Sequence, residues 1–194
     1  MSKLFDVQTQ LTFYGAYHSN RINVLIHIVC VPMILCLSDF FARRQFLNAS
    51  IHYVINDYLV FDLNASSIAA ALYLAYYYAL EPVAALLYTP QMVLGLLSAI
   101  AYARSPAHMT NAIILHGICW VAQFLGHGLA EKRSPALLDN LLGAVVLAPF
   151  FVHLELLFGL GYRPEMHKRL TNEIGKEITK LRKAQADARR AKTN

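Results

Sequence analysis

The chain has 194 residues, of which 57% are hydrophobic and 15% charged, and its mean hydropathy is +0.40. A soluble domain typically has about 45–50% apolar and about 25% charged residues, so this composition excludes an ordinary soluble protein. It predicts a small integral membrane protein with one domain. The N-terminal sequence MSKLFDVQTQ is too polar for a secretory signal peptide, so we expect an internal segment to direct membrane entry.

Several stretches are long and apolar enough for a membrane helix, which needs about 20 mainly apolar residues. In chain order they are 22–41, 66–88, 110–129 and 137–159, and the second of these is interrupted by Glu81 and Pro82. A shorter apolar stretch at 91–103 predicts a half-helix or a shallow hairpin with the segment before it. Residues 42–65 are mixed in character and predict an interfacial helix or a loop. Because the apolar runs are long and lack alternation of period two, we expect no strands. The predicted class is an all-α, polytopic membrane helical bundle with four to five membrane segments.

Charge is concentrated at the C-terminus. Residues 162–194 contain ten Lys/Arg and four Asp/Glu, a net charge of +6, whereas residues 1–161 carry −1. We therefore predict one membrane-embedded domain over 1–161 and a basic helical tail over 162–194. Each basic residue close to a membrane adds roughly 1 kcal/mol of attraction to anionic lipid. A positive tail also favours the cytosolic side of the membrane.

Common catalytic motifs are absent from the sequence. It contains no Walker motif, no GxSxG and no GxGxxG, so nucleotide binding and serine hydrolysis have no support, and we expect no nucleic acid partner. The cysteines all lie in apolar stretches, and their spacing fits neither a disulfide framework nor a zinc pattern. We interpret them as buried thiols: Cys30, Cys36 and Cys119.

The histidines indicate a metal site. Five of the eight lie in or beside predicted membrane segments: His18, His27, His116, His127 and His153. Imidazoles at that depth are costly and normally face a protein interior or a wet cavity. One interhelical hydrogen bond explains any single histidine, but five together favour a shared function. Imidazoles without thiolate partners suit Fe, Zn, Cu or Ni, so the residues alone leave open iron–O₂ chemistry and zinc-dependent hydrolysis.

Spacing constrains which histidines can meet. His116 and His127 share one helix face but lie about 16 Å apart along the axis, too far to bind one ion unless the helix breaks. His18 and His27 are about half a turn out of phase on a continuous helix. The sequence HSNRIN offers a break between them, with Ser19 or Asn20 as an N-cap. A re-entrant first segment would then bring His18 over His27.

Membrane parity gives a second constraint. His27 lies near the start of the first span and His127 near the end of the 110–129 span. They share one leaflet only if an even number of crossings lies between them, so 66–88 and 91–103 must both cross or neither. A metal held by both residues lies near one membrane face.

Two stretches carry a family resemblance: FYGAYHSNRINVLIHIVCVP (13–32) and WVAQFLGHGLAEKRSPALLDNLLGAVVLAPFF (120–151). They are similar to a small membrane family of fungal and bacterial proteins that includes the fungal Fe(II)-dependent 2-hydroxy fatty acid dioxygenase of phytosphingosine α-oxidation. The matching positions are His18, Asn20, Asn23, His27, Pro32, Gln123, Gly126, His127, Glu131, Pro135, Ala136 and Leu137. The chain departs from the pattern at Arg21, where many relatives have proline.

The resemblance implies an iron enzyme of the endoplasmic reticulum membrane. Such an enzyme uses Fe²⁺ and O₂ to shorten a 2-hydroxy fatty acid by one carbon, with 1–161 as the catalytic domain. Carried over by position, His18, His27 and His127 are the implied iron ligands. His116 is a further candidate ligand, which the matched pattern does not include.

Polar neighbours of the histidines are candidates for supporting roles. Glu131 lies four residues after His127 and could orient its ring or act as a ligand itself. Asn23 lies four residues before His27 and is a similar candidate. Lys132 or Arg133 would suit the substrate carboxylate, although basic residues often lie at the interface for solvation alone. We expect the acyl chain among the Leu and Tyr side chains of 66–103. The competing hypotheses are a zinc-dependent membrane hydrolase and a non-enzymatic lipid-binding helical scaffold.

Overall fold

The protein is a helical bundle with one small β-hairpin. The computed structural model describes residues 3–41, 51–135 and 140–193. The helices are α1 (Val7–Gly15), α2 (Arg21–Phe41), α3 (Ala65–Leu80), α4 (Pro82–Tyr102), α5 (Met109–Leu125), α6 (Leu141–Gly159) and α7 (Pro164–Thr193). The strands are β1 (His52–Asn56) and β2 (Leu59–Asp62). A π-helical segment, Gly126–Glu131, continues α5, and single 3₁₀ turns cover Lys3–Phe5 and Pro106–His108.

Three of the described helical stretches are long and apolar enough to cross a membrane. They are Arg21–Ser38, Pro82–Tyr102 and Pro106–Glu131. Helices α3 and α6 are apolar but shorter. The helical class is therefore confirmed, whereas four to five spans and a cytosolic basic tail stay predictions.

The β-hairpin contradicts the expectation that the chain has no strands. Strands β1 and β2 pair antiparallel, with Tyr53 opposite Phe61 and Val54 opposite Val60. Aromatic and β-branched residues favour strands, and Val60 is fully buried against the helical core. The interfacial helix or loop predicted for 42–65 is thus wrong over the hairpin, and 42–50 lie outside the described residues.

The break between α3 and α4 lies at the predicted interruption. The first helix ends at Leu80 and the second begins at Pro82, so the break is at Glu81, and residues 82–88 belong to the same helix as 91–103. Pro82 has no N–H for a helical hydrogen bond and forces Glu81 into an extended conformation, with φ −152° and ψ 91°. The Tyr78 hydroxyl lies 3.0 Å from Thr89 Oγ1, which shows that the two helices fold back on each other.

Helices α2 to α5 alternate in direction. The ends of α2 and α4 and the start of α5 meet in a small apolar cluster of Leu37, Ala103 and Ala112. The opposite ends of α2 and α5 meet at His27 and His127, whose ring centroids lie 5.0 Å apart. Segments 66–88 and 91–103 therefore contribute two antiparallel helices, one of the two arrangements that parity allows.

Helices α6 and α7 complete the structure at the histidine end of the bundle. Tyr77 of α3 stacks on Phe150 of α6, with centroids 4.4 Å apart, and its hydroxyl donates to the Val146 carbonyl. After α6, Tyr162 and Arg163 both donate to the buried Glu81 carboxylate. Helix α7 then packs against α1, where Ile174 lies against Gly15.

Candidate metal centre

Three buried histidines from three different parts of the chain meet at one end of the bundle. His18 lies between α1 and α2, His27 lies in α2, and His127 lies in the π-helical segment after α5. One ligand atom from each ring lies within 4.8 Å of the other two. The rings cross at 73–83°, with centroids 4.4–5.0 Å apart. Rings arranged in this way can direct three nitrogen lone pairs towards one point.

His18 is held in the neutral form that a metal requires. Its Nδ1 lies 2.8 Å from the Tyr14 carbonyl, so Nδ1–H donates and Nε2 carries the lone pair. This Nε2 is buried and makes no hydrogen bond with another described group. Burial and the neighbouring His27 ring hold the pKa of His18 well below its usual value. The ring also stacks on Tyr14, with centroids 4.1 Å apart.

His27 is oriented in the same way. Its Nδ1 lies 2.9 Å from the Asn23 carbonyl one turn earlier in α2, which leaves Nε2 as the acceptor nitrogen. The break that separates the two histidines runs from Ala16 to Asn20, and the Asn20 side chain accepts from the Ile22 N–H at the start of α2. The break predicted from HSNRIN is therefore present, and it places the ring of His18 against that of His27.

The π-helical segment determines where His127 points. The carbonyl of His127 accepts the N–H groups of Lys132 and Arg133, bonds that span more residues than the α-helical four. Lys132 ends the segment in a left-handed conformation, with φ 55°. The Nδ1 of His127 is buried and makes no hydrogen bond with another described group. A single π-helical turn in a helix often marks a functional site because it redirects side chains.

Glu131 connects the start of α2 to the π-helical segment. Its carboxylate accepts the Asn20 N–H at 2.6 Å, the Ser19 hydroxyl at 3.0 Å and the Asn23 amide at 3.4 Å. Glu131 lies outside the group of three ligand atoms, so the structure gives it a supporting position. Asn23 is fully buried and contributes both this contact and the carbonyl that orients His27.

Gly126 allows α2 and α5 to approach closely at this point. A Cβ atom added at Gly126 would lie 2.5 Å from Asn23 Oδ1 and 3.2 Å from Ile26 Cδ1. A larger residue would force the buried Asn23 side chain, or the helices that carry His27 and His127, to shift.

An apolar cavity of about 190 Å³ extends from the three histidines. Helix α2 contributes Val31, Ile34, Leu35 and Ser38, helix α5 contributes Trp120, Gln123 and Phe124, and helix α6 contributes Ala144, Val145, Ala148 and Pro149. From His27 to Ser38 the wall follows α2 for about 16 Å. That length is close to the depth of one leaflet, about half of a 30 Å hydrocarbon core.

Comparison with known proteins agrees with the resemblance seen in the two motifs. Residues 4–160 match the model of a family described as 2-hydroxy-palmitic acid dioxygenase Mpo1-like. The chain belongs to the Mpo1-like family. A relative, the 2-hydroxy-palmitic acid dioxygenase MPO1 of Saccharomyces cerevisiae, is 34% identical over 177 residues, which cover 88% of this chain and 91% of that protein. No solved structure matches the chain.

The Mpo1-like match contains all three clustered histidines and ends before α7. Of the other histidines in apolar segments, His116 is hydrogen-bonded to Trp120, and His153 lies 3.2 Å from the Ala84 carbonyl. The structure therefore brings together His18, His27 and His127 but neither of these two. His116, a candidate ligand from the sequence, lies outside the group of three, and its spacing of eleven residues from His127 corresponds to about 16 Å along the helix axis.

The two predicted carboxylate partners do not line the cavity. Arg133 donates to the Ala16 carbonyl at 2.9 Å, and its guanidinium lies 3.5 Å above the Tyr17 ring. Lys132 is exposed. Of the described residues in 66–103, where the sequence predicts the acyl chain, Tyr73 alone lines this cavity.

Some supporting residues of this Mpo1-like site were missed from the sequence. Tyr14 orients and stacks on His18, and Ser19 donates to Glu131. The tyrosine lies four residues before its histidine, the same spacing as Asn23 and His27, and this repeat was an available signal. The π-helical turn has no comparable signature, because glycines on both sides of His127 permit it without requiring it.

Proposed function

We propose that this chain is an Fe²⁺- and O₂-dependent dioxygenase that α-oxidises 2-hydroxy fatty acids. The product is the fatty acid one carbon shorter, with C1 lost as CO₂, in the degradation of phytosphingosine and fatty acids. One observation carries the proposal: three buried histidines lie at the head of an apolar cavity as long as one membrane leaflet. The name of the yeast relative supports the substrate class.

The residues present fit iron. Neutral imidazoles suit Fe²⁺, and His18 and His27 each donate Nδ1–H to a carbonyl, which leaves Nε2 available. The buried Nε2 of His18 and Nδ1 of His127 have no protein partner among the described residues. We therefore propose His18, His27 and His127 as the ligands. Three protein ligands leave coordination positions for the substrate and O₂.

The overall reaction balances without another reductant. R–CH(OH)–COOH plus O₂ gives R–COOH, CO₂ and H₂O: the C1–C2 bond breaks, C2 becomes the new carboxyl carbon, and O₂ accepts the electrons. When bound, Fe²⁺ supplies O₂ activation and a template for the carboxylate and 2-hydroxyl. No oxoacid cosubstrate is required.

The protein supplies orientation, burial and a path for the chain. The Tyr14 and Asn23 carbonyls fix the rings of His18 and His27. Glu131 fixes the backbone at Asn20 and so holds His18 close to the π-helical segment. The cavity takes the alkyl chain along α2, which places C1 and C2 beside the histidines and keeps water from the reacting carbons.

We propose the endoplasmic reticulum membrane as the location, on the basis of the resemblance to the fungal dioxygenase. The histidines lie near helix ends, so the charged head of a 2-hydroxy acid reaches them at the interface while its chain stays in hydrocarbon. This arrangement avoids moving a carboxylate into the membrane interior.

The test is to purify the protein in detergent, measure bound metal, and assay 2-hydroxypalmitate loss and CO₂ release with and without O₂. We expect stoichiometric iron and turnover that requires O₂. A zinc-dependent hydrolase would hold zinc and be indifferent to O₂. A lipid-binding scaffold would hold no stoichiometric metal and would tolerate His→Ala changes.

A further inference from the structure

His116 lies in α5, outside the group of three histidines, and its hydrogen-bond partner is Trp120. The Trp120 Nε1–H lies one turn later on the same helix and donates to His116 Nε2 at 2.9 Å. An indole N–H is only a donor, so His116 Nε2 is the acceptor and the ring proton belongs on Nδ1. The Nε2 lone pair, one of the two positions from which histidine binds metals, is therefore occupied by Trp120.

Trp120 lies in the cavity wall, well away from the three histidines. It precedes His127 by seven residues on α5, and Ile34 follows His27 by seven residues on the antiparallel α2. Each lies about 10 Å along its helix axis from its histidine, and both residues line the same cavity. On the proposed function, the indole would lie beside the middle of a long alkyl chain whose head is at the histidines.

We propose that His116 is a positioning residue that fixes the Trp120 indole in the wall of the acyl-chain cavity. The inference rests on the proposed function, because it takes the cavity to hold the substrate's chain. An indole N–H in an apolar wall is unfavourable without an acceptor, so the ring would turn to find one. With His116 as acceptor, the ring keeps one orientation and offers a fixed aromatic surface to the chain.

The chain contains a single tryptophan, which makes its fluorescence a direct probe of this wall. Bromine quenches indole fluorescence at contact distance. A stearic acid carrying two bromines at mid-chain should quench Trp120 saturably, and unbrominated stearic acid should restore the signal by competition. This measurement needs neither iron nor O₂. A brominated detergent controls for quenching through the micelle.

Three variants test the role of His116. His116→Leu removes the acceptor and should raise the half-saturating concentration of the brominated acid roughly two- to tenfold, the range expected for one hydrogen bond. His116→Gln keeps an acceptor oxygen and should stay within about twofold of wild type. His108→Leu, at a histidine next to the start of α5 and away from the cavity, is the matched control and should change nothing.

Kinetics and iron content separate positioning from ligation. For His116→Leu we expect KM for 2-hydroxypalmitate to rise by the same factor, with kcat and iron per chain unchanged. Because His116 acts through Trp120, His116→Leu combined with Trp120→Phe should raise KM no more than Trp120→Phe alone. If His116→Leu does not fold, the proposal still requires that Trp120→Phe raises KM and that His116→Gln leaves KM unchanged.

Several results would overturn the proposal. Loss of iron from His116→Leu would make His116 a ligand. An unchanged half-saturating concentration in that variant, or quenching in wild type that never saturates, would remove Trp120 from the chain-binding wall. A different outcome separates this proposal from the proposed function. If His116→Leu weakens saturable quenching in a protein that does not consume 2-hydroxypalmitate, that result would support the role of His116 and reject the dioxygenase.

Discussion

The Asn20 backbone N–H donates to the Glu131 carboxylate at 2.6 Å across 111 residues of sequence. Asn20 belongs to the short break that carries His18, and Glu131 ends the π-helical segment that carries His127. The same carboxylate also accepts from Ser19 and Asn23. Glu131 thus fixes the relative positions of two proposed ligands without lying among the ligand atoms.

Replacement of Glu131 should weaken metal binding without removing a ligand. For Glu131→Ala we expect iron affinity or turnover to fall about 10- to 100-fold, the usual cost of losing a group that orients ligands. Glu131→Gln keeps one acceptor oxygen and should lose less. Iron titration of the purified variants measures this, with Glu165→Ala at an exposed position as the control. Wild-type affinity in Glu131→Ala would contradict the role.

Each of the three clustered histidines should be essential. We expect His18→Ala, His27→Ala and His127→Ala each to lower kcat/KM more than about 100-fold and to release iron, because each removes one of three protein ligands. Secondary structure by circular dichroism should be retained. The controls are His52→Ala, His108→Ala and His167→Ala, which lie outside the group and should have smaller effects. Near wild-type turnover in any of the first three would remove that residue from the ligand set.

Two glycines of the same helical stretch should respond differently to alanine. Gly126→Ala places a Cβ atom 2.5 Å from Asn23 Oδ1, so we expect a loss of about 1–3 kcal/mol in stability and weaker iron binding. A Cβ atom at Gly117 meets nothing within 4 Å. Gly117→Ala should be neutral or stabilise α5 by up to about 1 kcal/mol. Thermal unfolding in one detergent compares them, and equal effects would rule out the close approach of α2 to Gly126.

Substrate affinity should increase with chain length. Burial contributes about 0.8 kcal/mol per methylene, so kcat/KM for 2-hydroxy acids should increase steeply until the chain fills the cavity along α2. A short soluble acid such as lactate should be a poor substrate. The measurement is kcat/KM for a series of chain lengths in one detergent, corrected for partitioning into micelles. A flat series would reject an acyl cavity.

The ion pair between Arg163 and Glu81 should anchor the start of α7. The Glu81 side chain is 5% exposed, whereas that of Arg163 is 49% exposed. We therefore expect Arg163→Leu to lower the free energy of unfolding by about 1–2 kcal/mol, less than the loss of a fully buried pair. Lys176→Leu breaks an exposed pair with Glu173 and should cost less than about 0.5 kcal/mol. Thermal unfolding distinguishes the two, and similar midpoints would show that Glu81 needs no cationic partner.

Features with a local chemical cause were predictable from the sequence. The length of the apolar runs indicates the membrane helices, and HSNRIN predicts the break that brings His18 to His27. The requirement for an even number of membrane crossings between His27 and His127 allows the antiparallel arrangement of α3 and α4. The interruption at Glu81 and Pro82 marks the end of α3 and the start of α4, although the apolar run continues past it to 88.

Features that depend on which helices and strands pack against one another could not be predicted from the sequence. The hairpin was missed because Tyr53, Val54 and Ile55 form a short run inside a stretch of mixed composition. The acyl chain is predicted along 66–103, whereas the cavity beside the histidines is lined mainly by α2, α5 and α6. Apolar residues cover most faces of these helices, so periodicity cannot show which face meets a neighbour.

The antiparallel arrangement of α2 and α5 places all three histidines at one end of the bundle, together with the Glu81 junction and the start of α7. On the proposed function, a centre in that position would receive acids from only one of the two leaflets. Substrate released on the opposite side would first have to cross the bilayer, and a carboxylate crosses most readily when it is protonated. Transbilayer exchange, and the acidity on the far side, would then limit how fast that pool is consumed.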